Sequence, residues 1–82
     1  MSAFKIIKIF HDILDIENGK INLNSTPKDI EEWDSVATIN IIVAIEDEFG
    51  IKFKLKDIQD AKSVKDFLEL VKAYKKWMKI SN

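Results

Sequence analysis

Apolar residues recur three and four positions apart in three separate stretches of this chain, the spacing of amphipathic helices that bury one face each. Between Ala3 and Ile16 the series is Ile6, Ile9, Phe10, Ile13 and Leu14, with Lys5, Lys8, Asp12 and Asp15 between them. The second series is Val36, Ile39, Ile41, Ile42, Val43, Ala44, Ile45 and Phe49, and the third is Val64, Phe67, Leu68, Val71, Tyr74 and Met78. Alternation at period two is confined to IKFKLK at residues 51–56, too short and too isolated to build a sheet. The 82 residues include no cysteine and one histidine, so disulfides and structural zinc are both excluded as staples. A domain of this size must then rest on aliphatic packing. A single domain over residues 1–82 is expected.

Helix ends are marked by a few residues. Asn18-Gly19 tolerates the left-handed conformation and should end the first helix. Residues 18–34, 17 in all, hold the only proline and read as a connection. Structureless loops beyond about 12–15 residues are uncommon in small domains, so this one should be functional or contain a turn of its own. Thr26-Pro27-Lys28-Asp29 has the capping-box pattern for such a turn, and Ile21, Leu23, Ile30 and Trp33 should pin the loop to the core. Asp34-Ser35 opens the second helix, with either side chain able to cap it, and Gly50 closes it with Ile51 folding back toward Ile45. Lys56–Ala61 makes a short third helix, and the capping box Ser63-Val64-Lys65-Asp66 starts the fourth. The second helix carries more apolar residues than one buried face needs. It is either a central helix or one that keeps an apolar surface for another purpose.

Thirteen Lys, no Arg and fourteen carboxylates leave a net charge of −1, which argues against a dedicated nucleic-acid binder. The charge is uneven. Residues 28–60 hold four Lys and nine acids, whereas residues 61–82 hold six Lys and two acids. The Lys-rich tail reads as a solvated helix end, and a nucleic-acid-binding bundle built on it is a weaker alternative. No apolar run approaches a membrane span, and the N-terminus lacks a signal-type core, so neither insertion nor export is expected and the location is read as cytoplasmic. No Ser-His-Asp or Cys-His set is available, and His11 falls on the polar side of the first helix as an ordinary surface histidine. Gly19 and Gly50 sit at helix ends rather than in a phosphate loop. Without a pocket of any size, Glu31-Glu32 and Glu46-Asp47-Glu48 are solvated carboxylates. The chain reads as a non-enzyme, with no catalytic residue and no metal site.

Trp33-Asp34-Ser35-Val36, followed by a helix ending Ala44-Ile45-Glu46-Asp47-Glu48-Phe49-Gly50-Ile51, resembles the acyl carrier protein family and its peptidyl and aminoacyl relatives. The resemblance runs without a gap from Trp33 to Ile51 and, in element order, covers nearly the whole chain. It implies an all-α, acyl-carrier-protein-like four-helix bundle with three main helices, a short third helix and a long first loop. It also implies that Ser35 is the attachment point of 4'-phosphopantetheine. A hydroxyl exposed at a helix N-terminus can attack the pyrophosphate of coenzyme A, and the resulting phosphodiester would sit at the positive end of the helix dipole. The arm brings its own thiol, which explains how a chain without cysteine could carry acyl groups as thioesters. By the same resemblance Asp34 faces the phosphopantetheinyl transferase and its metal-bound coenzyme A while capping the helix. Val36, Ile39, Val43, Glu46 and Asp47 form the surface that partner enzymes read. For Ile39 and Val43, ordinary core positions are an equal alternative.

The departures from the family pattern matter as well. Val36 replaces the usual Leu, Ala37 and Asn40 stand where fatty-acid carriers commonly have acids, and Lys52, Lys54 and Lys56 follow the helix. This weakens electrostatic steering toward fatty-acid synthase enzymes and favours a specialised discrete carrier. The expected role is carriage of acyl intermediates on Ser35 to ligases, synthases or transferases of fatty-acid, polyketide or related biosynthesis, by a monomer. An aminoacyl or peptidyl carrier is the near alternative. A helical adaptor without prosthetic group is the alternative from another class.

Overall fold

The computed structural model describes the backbone of residues 2–17 and 19–81, and side-chain surroundings for residues 3–17 and 19–75. Among the described residues four helices follow one another: α1 (Ser2–Leu14), α2 (Ser35–Phe49), α3 (Leu55–Asp60) and α4 (Val64–Ser81). No strand occurs among the described residues, and residues 51–54 run as an irregular connection. Among the described residues no helix is long and apolar enough to cross a membrane.

The apolar periodicity decides the packing. α1 lies against both α2 and α4, and its Ile6 and Phe10 are fully buried between them. Ile41 and Ile45 enter from α2, and Val64, Phe67, Leu68 and Val71 enter from α4. Tyr74 continues that stripe at the edge of the core, while the side chain of Met78 lies outside the described residues. Aromatic rings link the two ends of the bundle. Trp33 meets Phe10 edge-on at 4.9 Å between centroids, Phe10 meets Phe67 at 5.8 Å, and Phe53 bridges Phe67 at 6.4 Å to Tyr74 at 5.2 Å. Offset and edge-to-face geometries of this kind add to simple area burial.

The long connection is ordered by the residues expected to hold it. Ile21, Ile30 and Trp33 are buried, Leu23 packs against the same core, and Ile16 joins them. Thr26-Pro27-Lys28-Asp29 forms the turn, with the Asp29 carboxylate accepting from both the Thr26 N–H and the Thr26 hydroxyl. One function of the loop was not visible in the sequence. The carbonyls of Ser25 and Leu23 accept the N–H groups of Val64 and Lys65 at 3.1 and 2.8 Å. Ser63 takes the next two, its hydroxyl from Asp66 and its carbonyl from Phe67. Val64, Lys65 and Asp66, three first-turn donors that a helix leaves without an internal partner, are thereby satisfied in α4, and the Phe67 bond to the Ser63 carbonyl is the first i to i−4 bond of the helix.

Two boundaries differ from expectation. α1 stops at Leu14, earlier than the Asn18-Gly19 signal, because Asp15 itself takes the left-handed conformation at φ 54° and donates its N–H to the His11 carbonyl. Asp tolerates that region better than most residues, so it ends the helix before the glycine is reached. Gly19 keeps a positive φ in the following turn, and Asn18 lies outside the described residues. The third helix covers Leu55–Asp60 rather than Lys56–Ala61, starting one residue earlier.

Candidate functional site

α2 begins as its sequence dictates. Asp34 holds extended backbone angles (φ −97°, ψ −172°), and its Oδ1 accepts the Ala37 N–H at 2.8 Å. Its carbonyl accepts both the N–H and the hydroxyl of Thr38, each at 2.9 Å. The same Thr38 oxygen accepts from the Trp33 indole Nε1 at 2.8 Å. Trp33 is buried, so the residue immediately before the cap is anchored in the core and the cap is held against it. At the other end Gly50 takes φ 66°, ψ 39°, and the Ile51 N–H reaches back to the Glu46 carbonyl at 3.1 Å. This is the Schellman ending, with Ile51 and Ile45 both buried.

Of the two side chains able to cap α2, Asp34 does so alone. Ser35 is exposed, and its hydroxyl makes no hydrogen bond to any described residue. The Ser35 and Val36 N–H groups likewise have no acceptor among the described residues, at the end of a 15-residue helix where the dipole is positive. An unengaged primary hydroxyl beside open amide donors is what a phosphodiester linkage requires, and Asp34 keeps its second carboxylate oxygen for other work. These residues fit a phosphopantetheine arm.

The surplus apolar residues of α2 are surface. Val36 is 67% exposed, Ile39 60% and Val43 50%, which excludes the core reading for Ile39 and Val43. They follow one another up one side of the helix from Ser35, at the three-to-four spacing that makes neighbours on a helix face. Asp47 continues that line and is exposed. Glu46 differs. It is half-buried, and its Oε2 accepts the Phe53 N–H at 2.9 Å, so it fastens the connection to α3 as well as standing beside the expected recognition face. Glu48 points the other way and pairs with Lys5 of α1 at 3.7 Å. His11 is half-buried, and its one polar side-chain contact among the described residues is with the neighbouring Asp12.

Sequence reasoning did not find a cleft of about 850 Å³ at the far end of α2, lined by Asp47, Gly50, Lys52, Lys54, Ala73 and Tyr74 among others. Tyr74 closes one side of it. Its hydroxyl donates to Asp57 Oδ2 at 2.5 Å and accepts the Lys54 N–H at 2.9 Å. Burial, and then the hydrogen bond to Asp57, raises the Tyr74 pKa above its ordinary 10.0. Lys75 reaches the Phe49 carbonyl at 3.3 Å, a cation placed at the negative end of α2. No signal in the sequence paired Tyr74 with Asp57, because their juxtaposition depends on how α3 lies across α4.

The chain matches the family described as the phosphopantetheine attachment site over residues 5–71. Its fold is similar to the solution structure of the holo acyl carrier protein from Geobacter metallireducens, with a TM-score of 0.86 and 27% identity over 99% of this chain and 93% of that one. It is also similar to an acyl carrier protein candidate from Mycobacterium tuberculosis, with a TM-score of 0.81 and 29% identity over 89% of this chain and 97% of that one. With that match over most of its length, four helices in the same arrangement and a free serine at the start of α2, the chain belongs to the acyl carrier proteins, non-enzymatic carriers that bear a phosphopantetheine prosthetic group.

Proposed function

We propose that Ser35 is the attachment residue and that the whole chain, residues 1–82, works as one carrier domain for acyl thioesters. The observation that carries this reading is the exposed, unengaged Ser35 hydroxyl at the capped N-terminus of α2. Asp34 orients the first turn through the Ala37 N–H, so the serine is presented on a fixed scaffold rather than on a loose loop. The open Ser35 and Val36 N–H groups and the helix dipole offset the charge of a phosphodiester at that position. When attached, the arm supplies the thiol on which acyl groups are held. The rest belongs to the chain: it presents Ser35, keeps the surrounding face apolar, and holds α2 rigid between Asp34 and Gly50.

Carriers of this family work with transferases and synthases. For this chain the first partner is a phosphopantetheinyl transferase, followed by ligases, synthases or transferases of fatty-acid, polyketide or related biosynthesis. The near-neutral charge and the lack of acids at Ala37 and Asn40 support a specialised carrier over a general fatty-acid one. A monomer working in the cytoplasm suits a protein that must visit several enzymes. An aminoacyl or peptidyl cargo is the second reading, favoured by the same departures at Ala37 and Asn40.

The test is intact mass after incubation with coenzyme A and a promiscuous phosphopantetheinyl transferase. One added phosphopantetheinyl group on the wild type and none on Ser35→Ala is the expected result. A folded wild type that gains no mass would favour an adaptor without prosthetic group, and labelling of Ser35→Ala would move the attachment elsewhere.

A further inference from the structure

Every exposed residue of α2 from Ser35 to Ile45 is uncharged: Ser35, Val36, Ile39, Asn40 and Val43. Single exposed aliphatic residues are normal on any protein, but three in a row beside an attachment serine make a patch. The three carboxylates that end the helix do not act together. Glu46 is engaged with Phe53 and Glu48 faces Lys5, which leaves Asp47 as the one exposed acid without a partner among the described residues.

We infer that the enzymes this carrier visits dock on α2 through an apolar, near-neutral surface with a single cation placed for Asp47, not through a basic patch reading a row of acids. This rests on the reading of Ser35 as attachment residue, since it is the serine that brings an enzyme to this face. Charge complementarity sets on-rate and salt dependence, whereas burial of aliphatic groups is little affected by moderate salt. Association should therefore be nearly independent of ionic strength. Three aliphatic side chains fall well short of the roughly 20–30 residues that each side of a standard interface engages. The patch suits a transient encounter and is too small to hold a second copy of the chain.

The experiment uses coenzyme A and the promiscuous phosphopantetheinyl transferase, the first enzyme to meet this face, and reads kcat/KM for modification by intact mass. Ile39→Ser and Val43→Ser should each lower kcat/KM about tenfold, the effect of losing one buried aliphatic side chain. Asp47→Asn should lower it about threefold, Glu46→Gln less than twofold, and raising NaCl from about 50 to about 500 mM less than threefold. Both aliphatic positions are exposed, so circular dichroism should show unchanged helix content. A tenfold loss with salt, or with Glu46→Gln, while Ile39→Ser reacts like the wild type, would overturn the inference and leave the Ser35 reading standing. A wild type that is not modified at all removes the Ser35 reading and this one with it. Dimers in sedimentation that Ile39→Ser dissociates would assign the patch to a second copy and overturn the inference also.

Discussion

Thr38 offers the sharpest test of how this fold holds its serine. Its hydroxyl accepts from the buried Trp33 indole at 2.8 Å and donates to the Asp34 carbonyl at 2.9 Å, joining the core to the cap of α2 in two bonds. Thr38→Val keeps the shape and removes the oxygen. The indole N–H would then be a buried donor without a partner, in a protein where no described buried side-chain nitrogen or oxygen lacks one. Such an orphan costs about 1–3 kcal/mol, and the added methyl returns something under 1 kcal/mol, for a net loss of about 1–2 kcal/mol. In a domain of this size that is a fall in Tm of about 5–15 °C. Urea unfolding followed by circular dichroism measures the loss directly, and Trp33→Phe alone and combined with Thr38→Val completes a double-mutant cycle. The coupling should be about 1 kcal/mol, because removing both partners leaves no orphan. A Thr38→Val loss below about 0.3 kcal/mol, or a cycle that closes to zero, would refute the claim that this oxygen ties the cap to the core.

Further outcomes follow from the same geometry. Asp34→Ala should cost about 1 kcal/mol of stability in urea unfolding, whereas Asp34→Asn should keep the cap and lose only the charge, so a modification rate lost in both assigns Asp34 a role toward the transferase. Gly50→Ala should destabilise by about 1 kcal/mol, because the strain lies in its φ of 66° and not in space, an added Cβ meeting nothing within 4 Å. Asp15→Gly should do the reverse, raising Tm by a few degrees through relief of the left-handed strain at φ 54°. Tyr74→Phe should cost about 1–2 kcal/mol at neutral pH through its two hydrogen bonds. The Tyr74 pKa is raised on folding, so its contribution is full below pH 10.0 and is lost as pH climbs through the folded value. The stability gap between wild type and Tyr74→Phe should narrow in that alkaline range, and a constant gap would contradict the assignment.

What could be read from the sequence was local. The caps of α2 are a property of Asp34 and Gly50 and their immediate neighbours, and both were legible in order and position. So were the buried stripe of α4 from Val64 to Val71 and the loop anchors Ile21, Ile30 and Trp33, since a bulky apolar residue in a polar loop has few places to go. The end of α1 was misread because two left-handed signals compete there and Asp15 comes first. Spacing alone left Ile39 and Val43 evenly divided between core and the surface that the resemblance implied. A helix rich in isoleucine on all sides looks the same whether it lies in the middle of a bundle or beside it, and only the burial of Ile41 and Ile45 on one side of α2, where α1 packs, separates the two. Glu46 looked like one acid among three until Phe53 came within reach of its carboxylate. Non-local partners such as Leu23 and Ser25 for the start of α4 were beyond any spacing rule.

α3 has no buried side chain and no side-chain cap at Lys54; it hangs from Glu46 on one side and from Tyr74 on the other. Ile58 is its one half-buried aliphatic side chain, so detachment would uncover little apolar area and the event is a local opening with low sensitivity to denaturant. The amide hydrogens of Leu55–Asp60 should exchange with solvent orders of magnitude faster than those around Ile6, Ile41 and Phe67, and at a rate nearly flat in dilute urea. Amides in α1, α2 and α4 should merge with the global unfolding line instead. The bundle is thus a three-helix cooperative unit carrying a fourth segment on polar tethers, able to lift away from the cleft while the scaffold that presents Ser35 stays folded.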